Sequence, residues 1–117
     1  MQDAEAIGMR IELFGELPED TDLRKVFLIA IRECLTNGVR HADATLIHAE
    51  IVRKSKSILL YITNNGKPPE GVVVPKGGLL NLLRYVADCG GKMKIESLPQ
   101  YVLSIELPSK NGEIEKE

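Results

Sequence analysis

The sequence predicts an α+β fold, a two-layer α/β sandwich whose mixed, mostly antiparallel sheet has its helices packed on one face. Three observations predict it. Short runs of alternating apolar and polar residues come in pairs, as hairpin strands do. Two segments place apolar residues at helical spacing, each in a single stripe suited to one-sided packing. The elements follow in the order β-α-β-β-loop-α-β-β, and no internal repeat or Ser- or Pro-rich linker divides them.

Residues 9–14 alternate and read as a half-buried strand. Residues 15–20 form a loop, and Asp20 to Asp22 supply N-cap candidates for the next helix. The segment 22–42 reads as one long helix with a stripe of Leu23, Val26, Ile29 and Ala30. Residues 45–53 and 58–63 are strands joined by a polar turn at 54–57. Residues 64–71 contain Gly66, Pro68, Pro69 and Gly71, a composition that excludes helix and central strand. Residues 72–74 are expected to be briefly extended. Residues 79–89 regain helical spacing through Leu79, Leu82, Leu83 and Val86, with Gly90-Gly91 as a C-cap pair. Residues 92–97 and 101–107 alternate again and pair across a turn. Residues 1–8 read as a leader or the end of an upstream helix, 9–108 as one domain, and 109–117 as a charged, disordered tail.

Composition narrows the function. The chain has 117 residues, 44% of them apolar and 27% charged, enough for a core without staples. A net charge of −2 shows no electrostatic footprint for nucleic acid. Trp is absent and there are only two Phe and three Tyr, so stacking platforms for single strands are not expected either. Cys34 and Cys89 lack metal spacing and fit a reducing compartment, Cys34 as a buried small hydrophobe. No stretch is long enough to span a membrane and no signal peptide is present, so no direct membrane contact by this chain is expected.

The long helix carries the chemistry. Continued by threes and fours, its stripe reaches Glu33, Asn37, Arg40 and His41. An acid and an amide one turn apart suit a hard cation, and the basic pair beyond them suits phosphate. The plainer reading is a helix turning its polar end to solvent, with Arg40 and His41 complementing the macrodipole. Two further segments join the first. Asn64-Asn65-Gly66 stands at the mouth of a strand. Lys76-Gly77-Gly78-Leu79 opens a helix, where glycine lets phosphate approach backbone N–H groups.

With these three segments in this order, the chain resembles the histidine-kinase/gyrase/heat-shock-chaperone type of ATPase. Within it, the likeness is to the catalytic ATP-binding domain of bacterial sensor histidine kinases with a short lid, and it runs from about residue 9 to 108. Glu33-Cys-Leu-Thr-Asn37-Gly-Val-Arg-His41-Ala resembles the family's N box. Asn64-Asn-Gly66 is similar to its Asp-x-Gly-x-Gly box, and Gly78-Leu79 to its Gly-x-Gly-Leu box. The resemblance implies ATP and Mg2+ as cofactors, with Asn37 as metal ligand and Glu33 orienting a water or acting as base. Arg40 and His41 would contact phosphate or ribose, Gly78 and Leu79 would cradle phosphates, Lys76 could add a phosphate contact, and adenine would lie near Asn64, Gly66 and Ile62. Four departures stand out. The adenine-reading Asp is Asn64, the second glycine of that box is Pro68, the first glycine of the next box is Lys76, and the usual Gly-Thr before the last strand is Gln100-Tyr101.

His41 and His48 are the only histidines, and neither stands in a phosphoacceptor helix motif. The resemblance therefore implies a histidine supplied by a dimerisation domain outside this chain. It also implies a response regulator as partner, a homodimeric full-length protein, and a cytoplasmic setting, free or as part of a membrane-anchored sensor. Two alternatives share the pocket: a stand-alone serine kinase of the anti-sigma-factor class, and a degenerate nucleotide domain acting as a binding module.

Overall fold

The computed structural model describes residues 10–38, 43–71, 73 and 76–109. Its elements are β1 (Arg10–Phe14), α1 (Thr21–Asn37), β2 (Leu46–Arg53), β3 (Ser57–Asn64), α2 (Gly78–Asp88), β4 (Lys92–Glu96) and β5 (Val102–Pro108). The five strands form one sheet in the order β1-β2-β3-β5-β4. Strand β1 pairs parallel with β2, across the α1 crossover, and every other pairing is antiparallel. The predicted α+β sandwich with a mixed, mostly antiparallel sheet is the observed fold.

Register sorts the side chains into two faces. Ala49, Ile62 and Leu103 lie abreast on β2, β3 and β5, as do Ile51, Leu60 and Ile105 in the next row. All six are buried, and they join Leu23, Phe27 and Ala30 of α1 and Leu79, Leu82 and Val86 of α2 in one core. Burying each such aliphatic side chain is worth about 1.5–3 kcal/mol, so this face fixes the register. The other face carries Glu50, Tyr61 and Ser104 abreast. On it His48 stands 3.5 Å from Glu12 and 3.8 Å from Glu50, with its ring against Phe14.

Helix α1 starts where Asp20 Oδ1 accepts the N–H groups of Asp22 and Leu23, at 2.9 and 3.1 Å. Its buried stripe is Leu23, Val26, Phe27, Ala30, Ile31 and Cys34. Leu23, Val26 and Ala30 of the stripe read from sequence are buried, while Ile29 gives way at its edge to Phe27 and Ile31. Ile29, Glu33 and Asn37 are half-buried along its edge, while Cys34 and Gly38 continue its centre. A 3.6-residue period leaves that choice open, and the position of Phe27 against the sheet decides it. The expected continuation to residue 42 lies beyond the described part of the helix, which reaches its C-cap at Gly38.

Helix α2 ends as its glycines predict, with Gly90 N–H bonded to Ala87 O and Gly91 N–H to Val86 O, both at 2.9 Å. Of the expected extended segment 72–74 only Val73 is described, and it is packed against the core outside any strand. Among the described residues no helix is long and apolar enough to cross a membrane.

Candidate functional site

The candidate site is built on the contact between the C-terminal end of α1 and the N-terminal end of α2. Gly77, at φ 59°, is the N-cap of α2, and no side chain caps that helix. This left-handed conformation is one that glycine adopts without steric cost, and it turns the chain into the helix. The next residue, Gly78, faces α1. A Cβ built there would fall on the carboxyl group of Glu33, meeting Oε1, Cδ and Oε2. The Glu33 carboxylate thus lies directly over Gly78, and glycine is the residue that leaves room for it. Two segments 45 positions apart in sequence are brought into contact, the acidic member of the first on the glycine of the third.

Asn37 stands one turn beyond Glu33, half-buried, at the last position of α1. Arg40 and His41 lie outside the described residues. Lys76 is exposed, and its carbonyl accepts the Leu79 N–H at 3.2 Å. Of the two backbone donors expected to cradle phosphate, that of Leu79 is thus already engaged, and its side chain is buried in the core.

Asn64 closes an Asx turn, its Oδ1 accepting the Gly66 N–H at 2.7 Å. The neighbouring Asn65 has a role that sequence reasoning missed. Its Oδ1 accepts the N–H groups of Thr45 and Leu46 at 2.9 and 3.0 Å, and its Nδ2 donates to Thr45 Oγ1 at 2.9 Å. Its amide side chain therefore prolongs the β2–β3 ladder and anchors the mouth of β3. The available signal was the Asn-Asn-Gly triplet, which marks a turn without saying which amide reaches across it.

Ile62 is 1% exposed, within the core. Tyr101 is buried against the core, and its hydroxyl has no hydrogen-bond partner. The Cys34 thiol interacts with that hydroxyl without meeting hydrogen-bond geometry. Burial above all, then Cys34 and the charge of Glu33, hold the phenol above its ordinary range. Burial likewise pushes the Cys34 thiol up to about 12, against the lowering effect of Tyr101. Cys34 is therefore a protonated core residue at neutral pH, as its place in the helix suggests.

The oxygen donors fit a magnesium–phosphate group. Glu33 offers a carboxylate and Asn37 an amide oxygen, beside a helix N-terminus with no acidic residue in its first turn. Among the described residues there is no cluster of three or more His, Cys, Asp or Glu able to hold a metal. Magnesium is ordinarily bound through one or two protein oxygens together with substrate phosphates. A separate open groove of about 510 Å³ lies on the opposite side of the sheet, between Tyr61, Lys92, Lys94 and Glu106. None of the site residues lines it.

No protein-family model and no curated protein sequence matches the chain. Solved structures do. The histidine kinase domain of a blue-light activated histidine kinase from Erythrobacter litoralis superposes with a TM-score of 0.72 at 15% identity, covering 92% of this chain and 61% of that one. The ATP binding domain of PrrB from Mycobacterium tuberculosis gives 0.70 at 23% identity, covering 94% and 88%. The Acinetobacter baumannii histidine kinase AdeS gives 0.68 at 16%, covering 94% and 59%. The chain spans about three fifths of the first of these, and at such identities the likeness is one of fold. The chain has the fold of histidine kinase ATP-binding domains.

Proposed function

We propose that the chain is the ATP-binding catalytic domain of a two-component sensor histidine kinase. In this reading it transfers the ATP γ-phosphoryl group to a histidine on a dimerisation domain outside the chain. The observation that carries the reading is the seating of Glu33 on Gly78, within a fold shared with histidine kinase ATP-binding domains. That contact joins the acid–amide end of one helix to the open N-terminus of another, a place suited to a phosphate and its cation.

Each residue then has a task. The Asn37 carbonyl oxygen would hold the cation as a hard neutral ligand, and the Glu33 carboxylate would accept the proton of the incoming imidazole or orient a water. The Gly78 backbone approaches the phosphates, and Lys76 adds positive charge. Asn64 and Gly66 border the base, and Arg40 and His41 contact phosphate or ribose. Bound magnesium supplies neutralisation of the triphosphate charge. Catalysis in such a site is positioning and electrostatics more than covalent chemistry. A homodimer in the full-length protein, a response regulator as acceptor of the phosphoryl group, and a cytoplasmic setting complete the proposal.

Calorimetric titration with a non-hydrolysable ATP analogue, with and without magnesium, tests it. Magnesium-dependent binding is expected, weakened about tenfold or more by Asn37→Ala, the loss of one charge-assisted contact. Absence of binding in both proteins would reject the kinase reading and leave the binding module.

A further inference from the structure

Strand β4 stands at one edge of the sheet, pairing with β5 on one side and, among the described residues, with no strand on the other. An edge strand carries unpaired N–H and C=O groups that can take another extended chain. Its sequence, Lys92-Met93-Lys94-Ile95-Glu96, alternates exposed and half-buried residues. Met93 and Ile95 stand opposite Ile105 and Leu103 of β5 and pack against the core, which therefore runs out to this edge and ends there half covered. Lys92, Lys94 and Glu96 lie on the other face. Lys94 Nζ is 3.2 Å from a Glu96 carboxylate oxygen, while Lys92 makes no ion pair with any described residue.

Lysines on an edge ordinarily keep strands apart, because like charges meet when two copies approach. The glutamate at the far end of this strand reverses that. Laid antiparallel on a copy of itself with Lys94 at the centre, β4 sets Lys92 opposite Glu96 of the second copy, twice by symmetry. The same register sets Met93 opposite Ile95, also twice, and so continues the core layer. Only the central Lys94 meets its own kind, and each carries Glu96 beside it. The other edge of the sheet lacks this property. Centred on Glu12 in the same way, β1 would set Arg10 opposite Phe14 and Glu12 opposite Glu12.

We propose that the free edge of β4 is a self-recognition surface, on which a second copy of this chain pairs antiparallel through Lys92–Glu96 and Met93–Ile95. The contact is two-fold symmetric and joins two five-stranded sheets into one. Each cross-strand pair adds modestly and only five residues a side take part, so the association is weak and sensitive to salt. It is independent of the nucleotide-binding reading, since none of these residues belongs to the proposed site.

Sedimentation equilibrium of the full chain tests it, beside Lys92→Glu and Glu96→Lys, each alone and the two mixed. The wild type should form dimers reversibly between about 10 µM and 1 mM at low salt. Salt at about 1 M should weaken them several-fold, because the screening length falls to about 3 Å. Either variant alone sets like charges opposite each other at both ends of the contact and should associate at least about tenfold more weakly. Mixed in equal amounts, the two should pair with each other at about wild-type strength, because the glutamates of one then face the lysines of the other. That recovery would also show that both variants are folded. A wild type that stays monomeric to about 1 mM overturns the inference. So does a single variant that associates like the wild type, or a mixture that stays monomeric.

Discussion

Gly78→Ala separates the packing role of the α1–α2 contact from its proposed role in admitting a ligand. The new methyl group would coincide with the Glu33 carboxyl, so something must move. The obstructing atoms are the end of a flexible side chain, and a change of rotamer clears them. Three effects set the change in stability. Displacing the carboxylate from the helix terminus costs about 0.3–1 kcal/mol. An imperfect rotamer for Glu33 adds about 0.5–1.5 kcal/mol. Alanine recovers up to about 1 kcal/mol over glycine in a helix. The net change should stay within about 1.5 kcal/mol, or less than roughly 10 °C in melting temperature for a domain of this size. On the proposed reading nucleotide binding should suffer more, because the methyl would stand where phosphate is proposed to approach the backbone, and a loss of at least about tenfold is expected. Urea unfolding and calorimetric titration of the same preparations measure both quantities. Destabilisation beyond about 3 kcal/mol would show that the carboxylate cannot leave. ATP affinity equal to the wild type would show that Gly78 is not where phosphate approaches.

Four further outcomes follow from the interior and the mouth of β3. Asn65→Ala removes three side-chain hydrogen bonds to Thr45 and Leu46 and should cost about 1–2 kcal/mol in urea unfolding, partial solvation limiting the loss; an unchanged midpoint would deny the ladder-extending role. Tyr101→Phe deletes a buried hydroxyl without a hydrogen-bond partner and should leave stability equal or raise it by up to about 1 kcal/mol, whereas a clear loss would mean that the Cys34 contact is a true hydrogen bond. Native Cys34 should resist thiol reagents at pH 8 while the half-buried Cys89 reacts sooner. Because burial raises the Cys34 pKa from 9.0 to about 12, its contribution is complete below pH 9 and is lost as pH climbs towards 12. Cys34→Ala should therefore flatten the alkaline fall in stability, and a fall of the same steepness in that variant would assign it to other groups.

The sequence by itself determined the fold class and nearly every element. Alternation marks the strands because a half-buried sheet repeats every two residues, and the register rows through Ala49, Ile62 and Leu103 bear this out. Asp20 and the Gly90-Gly91 pair mark helix ends because those positions need local chemistry, an oxygen for free N–H groups and a glycine beyond the last turn. The three polar segments were legible as a group through residue type and order. Only the tertiary structure shows that the first and the third touch, Glu33 on Gly78. Helical periodicity could not say whether Glu33 or Cys34 lies at the centre of the buried stripe, since both are three or four residues from earlier apolar positions. The packing of Phe27 and Ile31 against the sheet turns Cys34 inward and leaves Glu33 at the edge, where it reaches Gly78. Nor could the sequence show that Asn65, not Asn64, bridges to β2, or that Tyr101 carries its hydroxyl into the core. Those facts depend on contacts between residues far apart in the chain, and local spacing holds no record of them.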